Sequence, residues 1–474
     1  MQRVLSYRMR QRYLASTWDE IVDRIVNGPI VQKHTVNAAS PQFCQDVRAL
    51  LHNQTFVPAG NTLAFGAHHA FHTALQLQPN CSVFDAVSVK GATYLWDRGI
   101  GVGTTVLHPD DNPVKRLHEL QAAWNELKAQ HRPMRGNMFV YPANGKYVHN
   151  FIDAKSTPEK ADAMPGFNIS LAVNSNEALP DDVLDRVAQA AWATGDPGIV
   201  FIDRVNFNVP LRHATRRIQT LVPCGEQGMF DGEFCTLGSI NLNSPDLLTA
   251  PAGSAEICIQ RLAHAVKTAV TFLDNAVDVC AEPRSRQYRR IGLGVMGWAD
   301  YLARRAIPYE SVEARRLATT LSSVVGAAAR HQSMVLAHER GPFPYLEREP
   351  FLPNPALAEQ DASAGFARRT WEMRNVSVTC LAPTGGITLL TKNRGFAIEP
   401  FFNEATKVSA AGHIAMASAW QTGMCNSVSK TVNLPESATV HDVRDAIKLA
   451  YQLRNIKALS VYRANSRSAQ PIET

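Results

Sequence analysis

Cysteine is sparse in this chain and badly spaced for metal binding. Eight occur in 474 residues, no two form CxxC, and none stands at metal-finger spacing from a Cys or His partner. So long a chain with so few thiols is not a secreted disulfide scaffold. No run approaches ~18 uninterrupted apolar residues, so no membrane span is expected. The opening stretch MQRVLSYRMRQRYLASTWDE is charged throughout and has no apolar signal-peptide core. The expected location is the cytoplasm. Internal repeats and low-complexity tracts are absent too, which excludes solenoids and tethered arrays. Charge of one sign is equally scarce: Lys+Arg exceed Asp+Glu by 48 − 42 = 6. This mild excess favours anionic ligands such as nucleotides, and no nucleic-acid partner is expected.

What is present is ordinary globular material. Hydrophobic residues make up 45% and charged residues 19%, enough for a large core and too apolar for a disordered chain. Helix-like and strand-like segments alternate, which points to an α/β fold. Asp181 to Trp192 reads as a helix stopped by Gly195-Asp196-Pro197-Gly198, and Ile199 to Ile202 follows as a short buried strand. From Ser254 to Cys280, apolar residues recur every three or four positions: Ile259, Leu262, Val266, Val270, Leu273 and Val277. Further helices are expected over 17–26, 113–130, 312–339 and 442–453, with a last strand over 458–462. Gly292 to Gly297 spells GxGxxG. It follows a polar, basic stretch, and Glu310 lies thirteen residues past Gly297 with no convincing second strand before it, so a dinucleotide fingerprint is rejected in favour of close helix packing at the glycines.

The chemically informative stretch is Val222-Pro223-Cys224-Gly225-Glu226, with Cys235-Thr236-Leu237-Gly238-Ser239-Ile240-Asn241-Leu242 after it. A thiol and a carboxylate two residues apart in a Pro/Gly-shaped loop place a sulfur beside an acid. Taken alone, the pattern suits either a catalytic pair or a buried structural cysteine with a solvated glutamate.

These residues resemble the finger loop of ribonucleotide reductase catalytic subunits. Landmarks similar to that family continue in order along the chain: Arg12-Tyr13-Leu14, Phe56-Val57-Pro58, Asn80-Cys81, Phe167-Asn168-Ile169-Ser170, Gly195 to Gly198, the GLGVMGWADYLARRAIPYES run as a helix region, Ala382 to Thr388, Ile398-Glu399-Pro400, SVSKTVNLP from Ser427, and Lys457 to Arg463. The resemblance implies a ten-stranded α/β barrel of the ribonucleotide reductase and glycyl-radical type, threaded by a central finger loop. It divides the chain into a short helical segment over 1–50 and a catalytic barrel over 51–474. It makes Cys224 the thiyl radical, Glu226 the general base, and Cys81 with Cys235 the dithiol reductant of a ribonucleotide. Substrate contacts carry over to Thr62, Val222, Asn168, Ser170, Thr384, Gly385, Gly386 and Thr388, the last four as a phosphate turn.

Four departures from the family pattern stand out. Val222 occupies a position that is normally asparagine, so it cannot hydrogen-bond substrate or the glutamate. The Arg12-Tyr13-Leu14 landmark lies at the start, which implies no N-terminal ATP-binding cone. The interval from Cys81 to Gly99 is short for a nucleotide-effector site. No cysteine follows Cys425, so a thioredoxin- or glutaredoxin-like dithiol or another chain is expected to re-reduce the site. The motif style is most similar to adenosylcobalamin-dependent members. A reduced form of the kind viruses encode, acting in the host cytoplasm and served by a ferritin-like radical-generating subunit, is the alternative, with Tyr462 as its last relay. A homodimer is expected. The rival from another class is a catalytically impaired nucleotide-binding paralogue.

Overall fold

A computed structural model describes residues 17–32, 40–67, 77–130, 136–207, 217–249, 256–345 and 372–467. The Arg12-Tyr13-Leu14 landmark lies outside the described residues. In chain order the strands are β1 (Phe56–Pro58), β2 (Cys81–Asp85), β3 (Gly101–Thr105), β4 (Asn137–Pro142), β5 (Phe167–Val173), β6 (Gly198–Phe201), β7 (Thr220–Leu221), β8 (Gly228–Met229), β9 (Glu233–Asn241), β10 (Ile291–Met296), β11 (Thr431–Leu434) and β12 (Ala458–Arg463).

Helical crossovers build the first half. The helices Val89–Asp97, Pro113–Ala129 and Asp181–Thr194 alternate with strands, so β2 to β6 lie parallel and adjacent. β9 pairs parallel with β10, and β11 pairs parallel with β12. The two halves meet antiparallel, at β6 against β12 and at β2 against β9. β1 lies antiparallel along the rest of β9. These ten strands form one sheet. Bridges Leu293↔Thr379 and Leu381↔Val428 then connect β10, through residues 377–381, to the run that leads into β11. The edges of the sheet are thus joined, as a barrel requires.

Alternation along the strands separates wall from interior. On β5, Phe167, Ile169, Leu171 and Val173 enter the apolar core beneath the helices, while Asn168 and Ser170 take the opposite face. The helix Ile259–Asp278 buries Leu262, Val266, Val270, Leu273 and Val277, as its periodicity predicts. The helix Val312–Arg340 begins where Ser311 Oγ accepts the Ala314 N–H at 3.0 Å. Ile21, Val22, Ile25 and Val26, from the N-terminal helix Trp18–Val26, join the same core.

The glycine-rich run at 291–296 corrects one expectation. It is strand β10 rather than part of a helix, and only Trp298–Arg304 after it is helical. Its glycines serve packing of the barrel interior. A Cβ on Gly292 would collide with the Gln227 amide and Cys380 Sγ, and one on Gly294 would lie 2.5 Å from the Cys380 carbonyl oxygen. Gly297 has φ +74°, a backbone state that glycine adopts freely, and it turns the chain from strand into helix.

Candidate active site

β7 and β8 form a two-stranded hairpin that leaves the main sheet. Its tip is Val222 to Gln227, closed by Val222 N–H to Gln227 O at 2.9 Å and Gly225 N–H to Val222 O at 2.8 Å. Strand glycines make room for it. A Cβ on Gly103 of β3 would strike the Leu221 carbonyl, and one on Gly101 would lie 3.0 Å from Pro223 Cγ. Gly292 of β10 leaves space for Gln227 in the same way, so the hairpin touches both β3 and β10. This is the finger loop inside the barrel.

At the tip the structure brings together four residues from three separate stretches of chain. Cys81 and Cys235 are directly opposed in the β2–β9 register. Opposed residues on antiparallel strands lie about 4.5–5.5 Å apart, Cα to Cα, within the range a disulfide spans. Both are free thiols here. The Cys81 thiol is pushed well up, first by its side-chain hydrogen bond with Cys235, then by burial and by the neighbouring Cys235, Glu226 and Cys224 charges. Cys224 is exposed at the loop tip, yet the protein around it removes bulk solvation, and this, with the Glu226 charge, drives its thiol far up. Glu226 is 2% exposed, and burial pushes its carboxyl up to about 7, partly offset by its own backbone N–H. Its Oε2 is buried with no hydrogen-bond partner.

The electrostatics narrow the chemistry. A nucleophilic cysteine needs a lowered pKa and a cationic neighbour. Cys224 and Cys81 have the reverse, so both keep their S–H bonds at neutral pH, as hydrogen-atom chemistry requires. Glu226, poised near 7 with a free oxygen, has the properties of a general base.

The other expected residues are more mixed. Asn168 reaches the loop, donating from Nδ2 to the Pro223 carbonyl at 3.1 Å. Ser170 donates to Met138 Sδ at 3.4 Å. Val222 lies at the loop base. Its side chain is fully buried among Val83, Met229, Cys235, Leu237 and Cys380, because an apolar group at the loop base gains more from that cluster than from a polar pocket. Thr62 is buried in the helix Gly60–Ala67. Thr384 and Thr388 share a hydroxyl–hydroxyl hydrogen bond at 2.8 Å, and Thr384 Oγ1 also accepts the Ala397 N–H at 2.8 Å. Their hydroxyls brace the turn, whereas Gly385 and Gly386 face open space. Tyr462 lies on β12 on the same face as Ala458 and Ser460, and Ala458 approaches Gly225 of the tip.

Three residues at the site escape sequence reasoning. Cys380 is fully buried, and its thiol is pushed well up by burial and by the nearby Glu226 and Cys235 charges. Its place just before the Ala382 to Thr388 motif is the only sequence signal for it. Gln227 and Asn426 pair their amides at 2.8 Å; their only sequence signal is that Gln227 directly follows the Val222 to Glu226 motif and Asn426 directly precedes the SVSKTVNLP run. Among the described residues no group of His, Cys, Asp or Glu is arranged to hold a metal ion, and no helix is long and apolar enough to cross a membrane.

Comparison with known proteins places the barrel in a family. Residues 168–407 and 396–462 match the family described as "Ribonucleotide reductase, barrel domain". The chain is 28% identical to a vitamin B12-dependent ribonucleoside-diphosphate reductase of Mycobacterium tuberculosis, over 98% of this chain and 80% of the relative. It is 24% identical to a protein of the same name from Thermoplasma acidophilum, over 99% and 70%. A vitamin B12-dependent ribonucleotide reductase of Streptomyces clavuligerus is 25% identical over 60% of this chain and 39% of its own length.

Proposed function

The chain belongs to the ribonucleotide reductase family, and from that premise we propose that it reduces ribonucleotides to 2′-deoxyribonucleotides at the finger-loop tip with adenosylcobalamin as its cofactor. The names of the two relatives that match almost the whole of this chain favour this cofactor over a ferritin-like subunit and favour ribonucleoside diphosphates as substrates. The observation that carries the reading is the convergence of Cys224, Cys81, Cys235 and Glu226, whose Oε2 has no hydrogen-bond partner, at the loop tip.

In this reading Cys224 takes the 3′-hydrogen of the ribose as a thiyl radical and later returns it. Glu226 accepts the 3′-hydroxyl proton. The 2′-hydroxyl leaves as water with a proton from the facing pair. Cys81 and Cys235 supply two electrons and finish as a disulfide, so each turnover converts one ribonucleotide and one dithiol into one deoxyribonucleotide, one disulfide and water. Gly385 and Gly386 meet the phosphates through backbone N–H groups, and Asn168 steadies the loop at Pro223. The donor set fits the cofactor: Cys224 is the exposed thiol of the trio, and Ser460 and Tyr462, on the face of β12 that approaches the tip, would border it. When bound, adenosylcobalamin supplies the one-electron chemistry that generates the radical on Cys224. Partners in this reading are a thioredoxin- or glutaredoxin-like dithiol, a nucleotide effector and a second copy of the chain, in the cytoplasm.

The test is deoxyribonucleotide formation with adenosylcobalamin and a dithiol, run beside the same assay with a ferritin-like subunit. Product in the first arm, abolished by Cys224→Ala with substrate binding intact, supports the reading. Product in the second arm alone overturns the cofactor. Nucleotide binding without product in either arm identifies the impaired paralogue. Residual turnover in Cys224→Ala refutes the thiyl assignment.

A further inference from the structure

The tip that carries Cys224 and Glu226 belongs to a hairpin with two residues in each strand. Such a ribbon has little stability of its own, and its outer edge is buried. Leu221 faces Gly228 in the β7–β8 register. The Gly228 N–H and C=O are taken up by one side chain from across the interior. Gly228 N–H donates to Asn426 Oδ1 at 2.9 Å, and Asn426 Nδ2 donates to Gly228 O at 3.1 Å. The same Nδ2 donates to Gln227 Oε1 at 2.8 Å, and Oδ1 also accepts the Ser427 N–H at 3.0 Å. All four hydrogen-bonding places on the Asn426 amide are therefore filled. Gln227 continues outward: its Nε2 donates to Ile291 O at 3.3 Å and to Cys380 Sγ at 3.4 Å. Gln227 is fully buried and Asn426 is 5% exposed.

Asn426 is itself fixed from several sides. Its N–H donates to Thr379 O at 2.9 Å. Its carbonyl accepts from Gln421 Nε2 at 2.7 Å and from Lys457 Nζ at 3.2 Å. Beside it, Ser427 N–H holds the Glu226 carbonyl at 3.0 Å. The turn from Val222 to Gln227 has no slack, because two backbone bonds close it within six residues. A shift at Gly228 is therefore passed to Glu226 and Cys224.

We propose that Asn426 and Gln227 are positioning residues of the reaction, their paired amides holding the returning strand of the hairpin, and with it Cys224 and Glu226, in register with the wall that carries Cys81 and Cys235. The inference rests on the reductase reading for its kinetic consequence but not for its geometry. A displacement of about 1 Å at a reacting group costs about 100-fold in rate, whereas a substrate held at the separate phosphate turn keeps its affinity.

The test uses the full chain with adenosylcobalamin, ribonucleoside diphosphate and dithiol, comparing wild type with Asn426→Ala, Gln227→Ala and the double variant. Each single variant is expected to lower kcat about 10- to 100-fold and leave KM within about twofold. The double variant is expected to be no worse than about threefold below the weaker single, since the two amides act as one unit. The alkylation rate of Cys224, followed by mass spectrometry without substrate or cofactor, is expected to change at least about fivefold as the tip loses its register. Should Asn426→Ala fail to fold, Gln227→Ala carries both readouts. Wild-type kcat and wild-type Cys224 alkylation in a folded single variant overturn the positioning role, as does strict additivity in the double. A wild type that forms no product refutes the functional reading instead, and the alkylation rates alone then decide the positioning role.

Discussion

Replacing Glu226 by glutamine should stabilise the protein while destroying its activity, with a gain that depends on pH. The carboxyl is buried and moves from an ordinary value of 4.5 up to about 7. Between these values the folded state binds a proton that the unfolded chain has released, so stability is lost as pH rises through the window. At roughly 1.4 kcal/mol per pH unit, the cost of charging Glu226 in the folded state reaches about 3 kcal/mol above pH 7. Glutamine has nearly the same shape and never ionises. The difference in unfolding free energy between Glu226→Gln and wild type should thus be smallest near pH 4.5, grow by about 3 kcal/mol by about pH 8, and then level off. Paired urea titrations across that range measure it, and the groups that do not sense the Glu226 charge cancel in the difference. A difference that stays flat with pH would refute the claim that desolvation raises this carboxyl, and with it the electrostatic case for a poised base. In the proposed reaction the same group would set the acid limb of activity: kcat should rise with pH through about 7, the range in which Glu226 becomes able to accept a proton.

Other perturbations follow from the same geometry. Gly103→Ala sets a methyl group against the Leu221 carbonyl, so it should cost about 1–3 kcal/mol in denaturation and lower kcat by displacing the finger loop. Asp274 is fully buried, with ion pairs to Arg289 at 2.8 Å and to Arg340 and Arg374 at 3.4 Å. Asp274→Ala should cost about 3–5 kcal/mol in urea titration, because three guanidinium groups lose a shared partner. Cys81→Ser or Cys235→Ser should stop repeated turnover with a dithiol in a product-accumulation assay; normal turnover in both would place the redox pair elsewhere.

The fold was legible wherever one residue's neighbours in sequence are also its neighbours in space. The helix over 259–278 shows itself in its apolar spacing, and the helix before Gly195 in its terminating glycine at φ +81°. The glycine run at 291–296 was not legible, because its glycines answer to Gln227 and Cys380, residues distant in sequence that reach it only once the barrel closes. Periodicity cannot report a steric demand made by another part of the chain.

The site divides along the same line. Cys224 and Glu226 share one short loop, and their motif announces them. The pairing of Cys81 with Cys235 is a matter of strand register; the family resemblance implies it, whereas spacing gives no reason to join two thiols 154 residues apart. Val222 shows why a substitution read in isolation misleads. Losing an amide there suggests a glutamate left unsupported, and Glu226 Oε2 is indeed unpaired. Yet the valine is not a gap in the pocket wall, because it anchors the loop base in an apolar cluster with Cys235 and Cys380. The loop is steadied instead from its other arm, where Asn426 grips Gly228 and Ser427 holds the Glu226 backbone. Backbone support and carboxylate support are thereby separated. The first keeps Glu226 in place, while burial, offset only by its own backbone N–H, raises its carboxyl to about 7 and leaves Oε2 without a partner.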